Sequence, residues 1–131
     1  MQKKLIVINA LDKDSYNDCH IKGSISIPLA DLAKAAQQFD KDAEIVVYCA
    51  SNECPVSSKA WHLLNDLGFT NVWAYEGGMR EWRHMGLPAE GECVAEYIDK
   101  AHGQLLPTDP KIKLISADEL REKLGIPVAY Y

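Results

Sequence analysis

Short apolar runs alternate with stretches of helical spacing along most of the chain. Leu5 to Ala10 and Ile45-Val46-Val47-Tyr48-Cys49 are nearly continuous apolar runs, the texture of strands buried on both faces. Asn71 to Tyr75 reads as a further strand, and Ile25-Ser26-Ile27-Pro28 as a brief extended piece ended by proline. Between them, Asp14 to Cys19 is a short polar helix or turn, and Asp31 to Phe39 carries alanines and leucine at helical spacing before the charged turn Asp40-Lys41-Asp42. Ser57 to Leu67 is an amphipathic helix with Ala60, Trp61, Leu64 and Leu67 on one face and Gly68 as its C-cap. Gly77-Gly78 permits a tight turn into a short helix, Met79 to His84, stopped at Gly86. Strands alternating with helices predict βαβ units and an α/β domain with a mainly parallel central sheet.

The texture changes beyond Pro88. Glycines and prolines punctuate 89–110, with a short helix from Val94 to His102 as one reading of it. Lys111 to Ile115 reads as a strand. Ser116 is a good N-cap with Glu119 three residues on, so Ala117 to Leu124 is expected to be a helix closed by Gly125. Ile126 to Tyr131 is ambiguous between a strand and a packed tail. The expected organisation is a core over 1–90, a linker or short helix over 91–110, and a C-terminal strand-helix extension over 111–131 that packs on the core.

With 131 residues the chain is long enough for one core and too short for two. A net charge of −5 argues against nucleic acid and against an anionic membrane surface, since both select basic patches. The apolar N-terminal run is cut short by Asn9 and Asp12, which favours a strand over a signal peptide, and no stretch approaches the roughly twenty apolar residues of a membrane span. A cytoplasmic location is therefore expected, with the four cysteines, Cys19, Cys49, Cys54 and Cys93, reduced. A zinc set of Cys19, His20, Cys49 and Cys54 matches structural zinc spacings poorly, so neither metal nor cofactor is expected.

Cys49 is the residue with the most chemistry in its position. It ends a buried-type strand and opens a polar loop, Ala50-Ser51-Asn52-Glu53-Cys54-Pro55-Val56, that runs into the helix at Ser57. Ligands of open α/β sheets gather outside the carboxyl ends of the strands, and a helix N-terminus favours anions and thiolates. The competing reading is a small buried hydrophobe, a common fate of free cysteine.

Several motifs together resemble a rhodanese-homology domain. Cys19-His20-Ile21-Lys22-Gly23-Ser24-Ile25-Ser26-Ile27-Pro28 is similar to the family's Gly-His-Ile-x-Gly-Ala-x-x-Ile-Pro segment, and Val46-Val47-Tyr48-Cys49 to the strand that ends in its catalytic cysteine. Leu67-Gly68-Phe69-Thr70-Asn71-Val72, Glu76-Gly77-Gly78-Met79-Arg80-Glu81-Trp82 and Gly86-Leu87-Pro88 resemble its closing signature. The resemblance implies a mainly parallel sheet flanked by helices on both faces. It also implies a sulfurtransferase in which Cys49 takes sulfane sulfur as a persulfide and passes it to an acceptor, with Ala50 to Ser57 as the substrate-binding loop and no cofactor. The partner so implied is a small sulfur donor or a persulfidated protein.

Three departures from the family pattern shape this expectation. The interval from Cys49 to Ser57 is longer than usual and holds neither glycine nor arginine, but does hold Glu53 and Cys54. Lacking an arginine clamp, the loop suits a phosphate or a small dianion such as thiosulfate poorly. Asn9-Ala10-Leu11 stands where the family has Asp-Val-Arg. Finally, nothing ahead of Lys3 supplies the family's leading strand and helix, whereas Leu114-Ile115-Ser116-Ala117-Asp118-Glu119-Leu120-Arg121-Glu122-Lys123-Leu124 reads like that piece. A circular permutation follows as a hypothesis, with the segment packed in cis or swapped within a homodimer.

The other residues receive plainer readings. Cys54 is a resolving thiol for Cys49 or a bystander, and Glu53 a solvated charge or a means of rejecting anionic donors. Cys19 and Cys93 are read as incidental, His20 as structural, Lys59 as pointing to solvent, and Trp61, Trp73 and Trp82 as core. Two functions of other classes stay open beside sulfur transfer: a catalytically silent rhodanese-fold binding module, and a Cys49/Cys54 thiol redox sensor.

Overall fold

A computed structural model describes residues 5–95, 98 and 109–126. Five helices and six short strands are found among them, together with one 3-10 turn. Strand β1 (Leu5–Asn9) is followed by α1 (Lys13–Asp18), β2 (His20–Ile21), β3 (Ile25–Ser26) and α2 (Leu29–Ala35), which tightens into the 3-10 turn Ala36–Gln38. Then come β4 (Glu44–Tyr48), α3 (Val56–Asp66), β5 (Val72–Tyr75), α4 (Gly78–His84) and β6 (Ala89–Glu90), with α5 (Ala117–Lys123) near the C-terminus.

The main sheet is parallel throughout and has the order β3-β1-β4-β5. Both of its faces are apolar, so the strands need no polar alternation. On β4 the two sets interleave: Ile45 and Val47 face one core with Leu32, Ala60, Leu64 and Phe69, while Val46 and Tyr48 face a second with Met79, Trp82, Leu87 and Leu120. Helices α2 and α3 cover the first face and α4 and α5 the second. This is the α/β arrangement expected from the sequence, with helices on both sides.

The C-terminal segment joins the same sheet. Leu114 pairs in parallel with Ala74 of β5, where Ala74 N–H donates to Lys113 O at 2.8 Å and Ile115 N–H donates to Ala74 O at 3.1 Å. Ile115, Ala117 and Leu120 are buried in the second core, and Lys123 Nζ reaches Glu44 at 2.7 Å. Ser116 and Glu119 form a reciprocal capping box at the start of α5. The strand expected over Lys111 to Ile115 is reduced to that single bridge. Lys111, Lys113 and Leu114 are exposed on its outer side, where no further strand pairs with them among the described residues.

A second, antiparallel ribbon pairs His20 with Glu90 and Ile21 with Ala89, and two-residue strands of this kind leave no periodicity to read in advance. Beside it lies the largest correction to the sequence reading. Cys19 and Cys93 are not incidental reduced thiols but a disulfide, 74 residues apart in the chain. The cytoplasmic expectation thereby loses the support it drew from reduced cysteines. The segment after β6 is held down further: Asp18 O accepts from Cys93 N–H at 2.8 Å, and the Asp18 carboxylate accepts from Val94 and Ala95 N–H at 3.1 Å each. Most of the helix considered over Val94 to His102, and the tail beyond Ile126, lie outside the described residues. No described helix is long and apolar enough to cross a membrane.

Candidate active site

Cys49 is the first residue after β4 and is fully buried. The loop that follows is fixed from two sides. On one side Cys54 N–H donates to Ser51 O at 3.1 Å and Glu53 N–H to Ser51 Oγ at 3.3 Å, forming a tight turn. On the other, the start of α4 is laid along it, with Met79 N–H donating to Cys49 O and Arg80 N–H to Ala50 O, both at 2.9 Å. Gly78 makes that approach feasible, since its backbone sits almost against the loop.

The sequence-predicted loop residues divide by environment. Ser51 and Ser57 are buried, Asn52 and Pro55 exposed, and Ala50, Glu53, Cys54 and Val56 half-buried. Pro55 stands just ahead of α3, and the first N–H groups of that helix turn back toward the sulfur atoms. The single Cys49 proton faces the Cys54 carbonyl oxygen at 3.4 Å and the Ser51 carbonyl oxygen at 3.8 Å, and it couples to the Cys54 sulfur.

That shared proton sets the charge of the pair. Donation to the Cys54 sulfur, reinforced by burial and by the charge on Cys54, pushes the Cys49 thiol well up, against the opposing pull of the Ser57 hydroxyl and N–H. Cys54 moves the other way. Its pKa is lowered to about 6, first by the hydrogen bond from Cys49 and then, against burial, by the Val56 and Ala50 N–H groups and the Lys59 charge. At neutral pH the pair therefore holds one proton and one negative charge, with the thiolate on Cys54. The Ser57 hydroxyl is buried without a conventional partner, a donor held ready beside the sulfur atoms.

A pH series tests this assignment. Alkylation of Cys54 by iodoacetamide, followed by peptide mass mapping, is expected to reach half its plateau rate near pH 6, because the rate follows the thiolate fraction as pH rises through the pKa. Cys49→Ala removes the largest stabilising hydrogen bond and should move that midpoint toward the ordinary thiol range. An unchanged midpoint would show that Cys49 does not share its proton.

Arg80 is the site residue that sequence reading missed. From α4 its guanidinium reaches the Glu53 carboxylate, and both side chains are largely covered, at 18% and 5% exposure. Glu53 is therefore not a solvated loop charge. It is a buried carboxylate neutralised by an arginine that comes from outside the loop, and it pins the turn in place.

Behind the loop, Tyr48 anchors the strand end. Its hydroxyl accepts from Asn9 Nδ2 at 3.2 Å and Ile21 N–H at 2.9 Å and lies 2.8 Å from Ser24 Oγ, and burial pushes its pKa up to about 12. Asn9 also accepts from Leu11 N–H at 2.9 Å, so the uncharged residue that replaces an aspartate still orders the turn after β1. His20 is stacked on Tyr16 and bonded through Nδ1 to Tyr16 O at 2.7 Å, a structural role. Trp61 and Trp82 are buried, while Trp73 is half-buried beneath Lys113. No group of metal-ligating side chains is assembled among the described residues.

A parallel α/β sheet with a cysteine at the end of a central strand, cradled by a loop and a helix N-terminus, defines a class of cysteine-loop domains. Comparison with known proteins narrows the class, for the rhodanese-like domain matches residues 1–85. The chain belongs to the rhodanese-like domain family. It is 32% identical over 87 residues to an HTH-type transcriptional regulator of Mycobacterium tuberculosis, a match covering 66% of this chain and only 38% of the regulator. It is 28% identical over 82 residues to the thiosulfate sulfurtransferase GlpE of Coxiella burnetii, covering 63% of this chain and 75% of that protein. Among solved structures, the rhodanese-like domain of a protein from Anabaena sp. superposes with a TM-score of 0.62 at 32% identity, over 69% of this chain and 84% of that one.

Proposed function

We propose that this protein is a sulfur carrier of the sulfurtransferase type, in which Cys49 accepts sulfane sulfur as a persulfide. The observation that carries the reading is the buried Cys49 thiol at the end of β4, set in a locked loop beside Cys54 and the buried Ser57 hydroxyl. When the Cys49 sulfur attacks the outer sulfur of a donor R–S–SH, its proton passes along the existing hydrogen bond to Cys54. The S–S bond of the donor breaks, R–S⁻ leaves, and Cys49–S–SH remains beside a neutral Cys54 thiol. Once the site loses a proton to solvent, the Ala50, Val56 and Ser57 N–H groups and the Ser57 hydroxyl face an anion that needs no metal to stabilise it.

The charge at the site favours the donor class. Arg80 is matched by Glu53, and Lys59 is exposed on α3, so a persulfide of low charge is better suited than the thiosulfate dianion. Glutathione persulfide supplied in stoichiometric amount tests the reading. We expect close to one glutathione released per chain above the protein-free rate, and at least a tenfold loss of that release in Cys49→Ser, whose hydroxyl is a far weaker nucleophile at this pH. Equal release from wild type and Cys49→Ser would refute transfer and favour the silent binding module.

A further inference from the structure

We infer that the sulfur taken up at Cys49, where no acceptor takes it, is expelled as hydrosulfide by Cys54, so that the domain also reduces persulfides; this rests on the transfer reading above. Three observations on different parts of the loop point to it. The Cys54 carbonyl oxygen lies 3.4 Å from Cys49 Sγ, which places the two cysteines side by side at the strand end, and their charges are coupled. The turn that presents Cys54 is locked by that residue's N–H bond to Ser51 O and by the Glu53–Arg80 pair, so the loop backbone holds residue 54 next to Cys49. Finally, Cys54 keeps the Val56 and Ala50 N–H groups and the nearby Lys59 charge after Cys49 has given up its proton, and these still favour its thiolate.

The chemistry then balances without any outside oxidant. After transfer, Cys54 loses its proton to solvent. The Cys54 thiolate attacks the inner sulfur of Cys49–S–SH, the atom beside which the loop turn places residue 54. A Cys49–Cys54 disulfide bond forms, the bond to the outer sulfur breaks with its electron pair, and HS⁻ leaves. The sulfane sulfur is thereby reduced and the two cysteines oxidised. Hydrosulfide is a good leaving group because its conjugate acid is more acidic than an ordinary thiol. Two equivalents of a low-molecular-weight thiol then return the cysteines to the reduced state and leave as their own disulfide. A family site with one cysteine in its loop has no internal route of this kind, and must wait for an external acceptor.

The test follows the fate of the sulfur in a single turnover with stoichiometric glutathione persulfide and no added reductant. Hydrosulfide is trapped with monobromobimane and the protein is weighed intact, then peptide-mapped. Wild type is expected to release about one hydrosulfide per glutathione released, and to lose two hydrogens in a bond mapped to Cys49 and Cys54. Cys54→Ser, with Cys54→Ala as a second variant against misfolding, is expected to release glutathione more slowly, since the Cys49 proton must then go to solvent, but still to gain one sulfur on Cys49 for each glutathione released and to lose at least nine-tenths of the hydrosulfide per glutathione. A wild type that releases glutathione but holds the extra sulfur, with no more hydrosulfide than Cys54→Ser, overturns the expulsion step alone. No Cys49-dependent glutathione release from any variant overturns the transfer reading and this one with it.

Discussion

Gly78→Ala is expected to cost about 3 kcal/mol of stability, from a left-handed backbone that disfavours a side chain and from overlap with a loop that has little room to yield. Gly78 has φ +67°, and a Cβ there would lie 2.6 Å from Cys49 O, 2.7 Å from Ser51 N and 2.8 Å from the Ala50 carbonyl carbon. All three contacts are main-chain atoms of the active-site loop, so relief means moving either that loop or the start of α4. The same contact holds the Met79 and Arg80 N–H groups on Cys49 O and Ala50 O, which couples stability to function. Urea unfolding should show a midpoint lowered by roughly 1–3 M with an unchanged slope, since a small domain loses about 1–3 kcal/mol per molar urea. Glutathione release should fall with it, even where the variant is folded. Gly77→Ala is the control. The three atoms nearest its Cβ all belong to the Glu81 carboxylate, a side-chain end that can turn aside at the cost of its bond from the Tyr75 hydroxyl, and Gly77 itself is in an ordinary right-handed conformation. Equal midpoints for the two variants would show that the close approach of α4 does not constrain the loop.

The same glycine shows what sequence reading can and cannot reach. Gly77-Gly78 marks a tight turn from composition alone, but which backbone passes within 3 Å of it is a tertiary fact. Cys49 was legible because three local signals coincide: an apolar β-branched strand, a polar loop and a helix start, the arrangement that places a side chain at the end of a parallel sheet. The role of Arg80 was not, although the residue is in plain view within the closing signature. Its partner Glu53 is 27 residues away, and only the stacking of α4 on the loop brings the two charges together. Loop composition therefore gave a site with a naked carboxylate, whereas the folded site is neutralised from the side.

The C-terminal segment illustrates the opposite balance. The Ser116 and Glu119 pattern specifies a helix start locally, and the capping box forms as read. The strand before it was over-read, because a single apolar stretch with Lys111 and Lys113 in it can pair at one edge position without forming a ladder. Its place beyond β5 follows from burial of Ile115, Ala117 and Leu120 against the second face of the sheet, not from strand propensity. Leu120 lies in that core with Val7 and Val46, so a segment distant in sequence completes the face that β1 and β4 leave open.

Breaking the Cys19–Cys93 disulfide is expected to lower stability by about 4 kcal/mol, since the bond closes a loop of 74 residues and the entropy removed from the unfolded chain grows with loop length. Neither spacing nor neighbouring residues announced this pair: Cys19 precedes β2, Cys93 follows β6, and only the two-residue antiparallel ribbon brings them together. On the folded side the bond is well supported. Cys19 is fully buried in the second core beside Ile21 and Tyr48, and Asp18 fixes the backbone of Cys93, Val94 and Ala95. Cys93 also has φ 57°, an unusual conformation for a residue with a side chain, which this surrounding set of bonds maintains. Cys19→Ser with Cys93→Ser should therefore melt about 15 °C below wild type, by calorimetry at equal protein concentration. Titration of unfolded wild type should find two thiols, Cys49 and Cys54. The double variant should keep Cys49-dependent glutathione release at temperatures where it is folded, because the disulfide lies behind the sheet end and takes no part in the sulfur chemistry. A melting point within about 2 °C of wild type, or four titratable thiols in the wild-type chain, would remove this bond from the account of what holds the fold together.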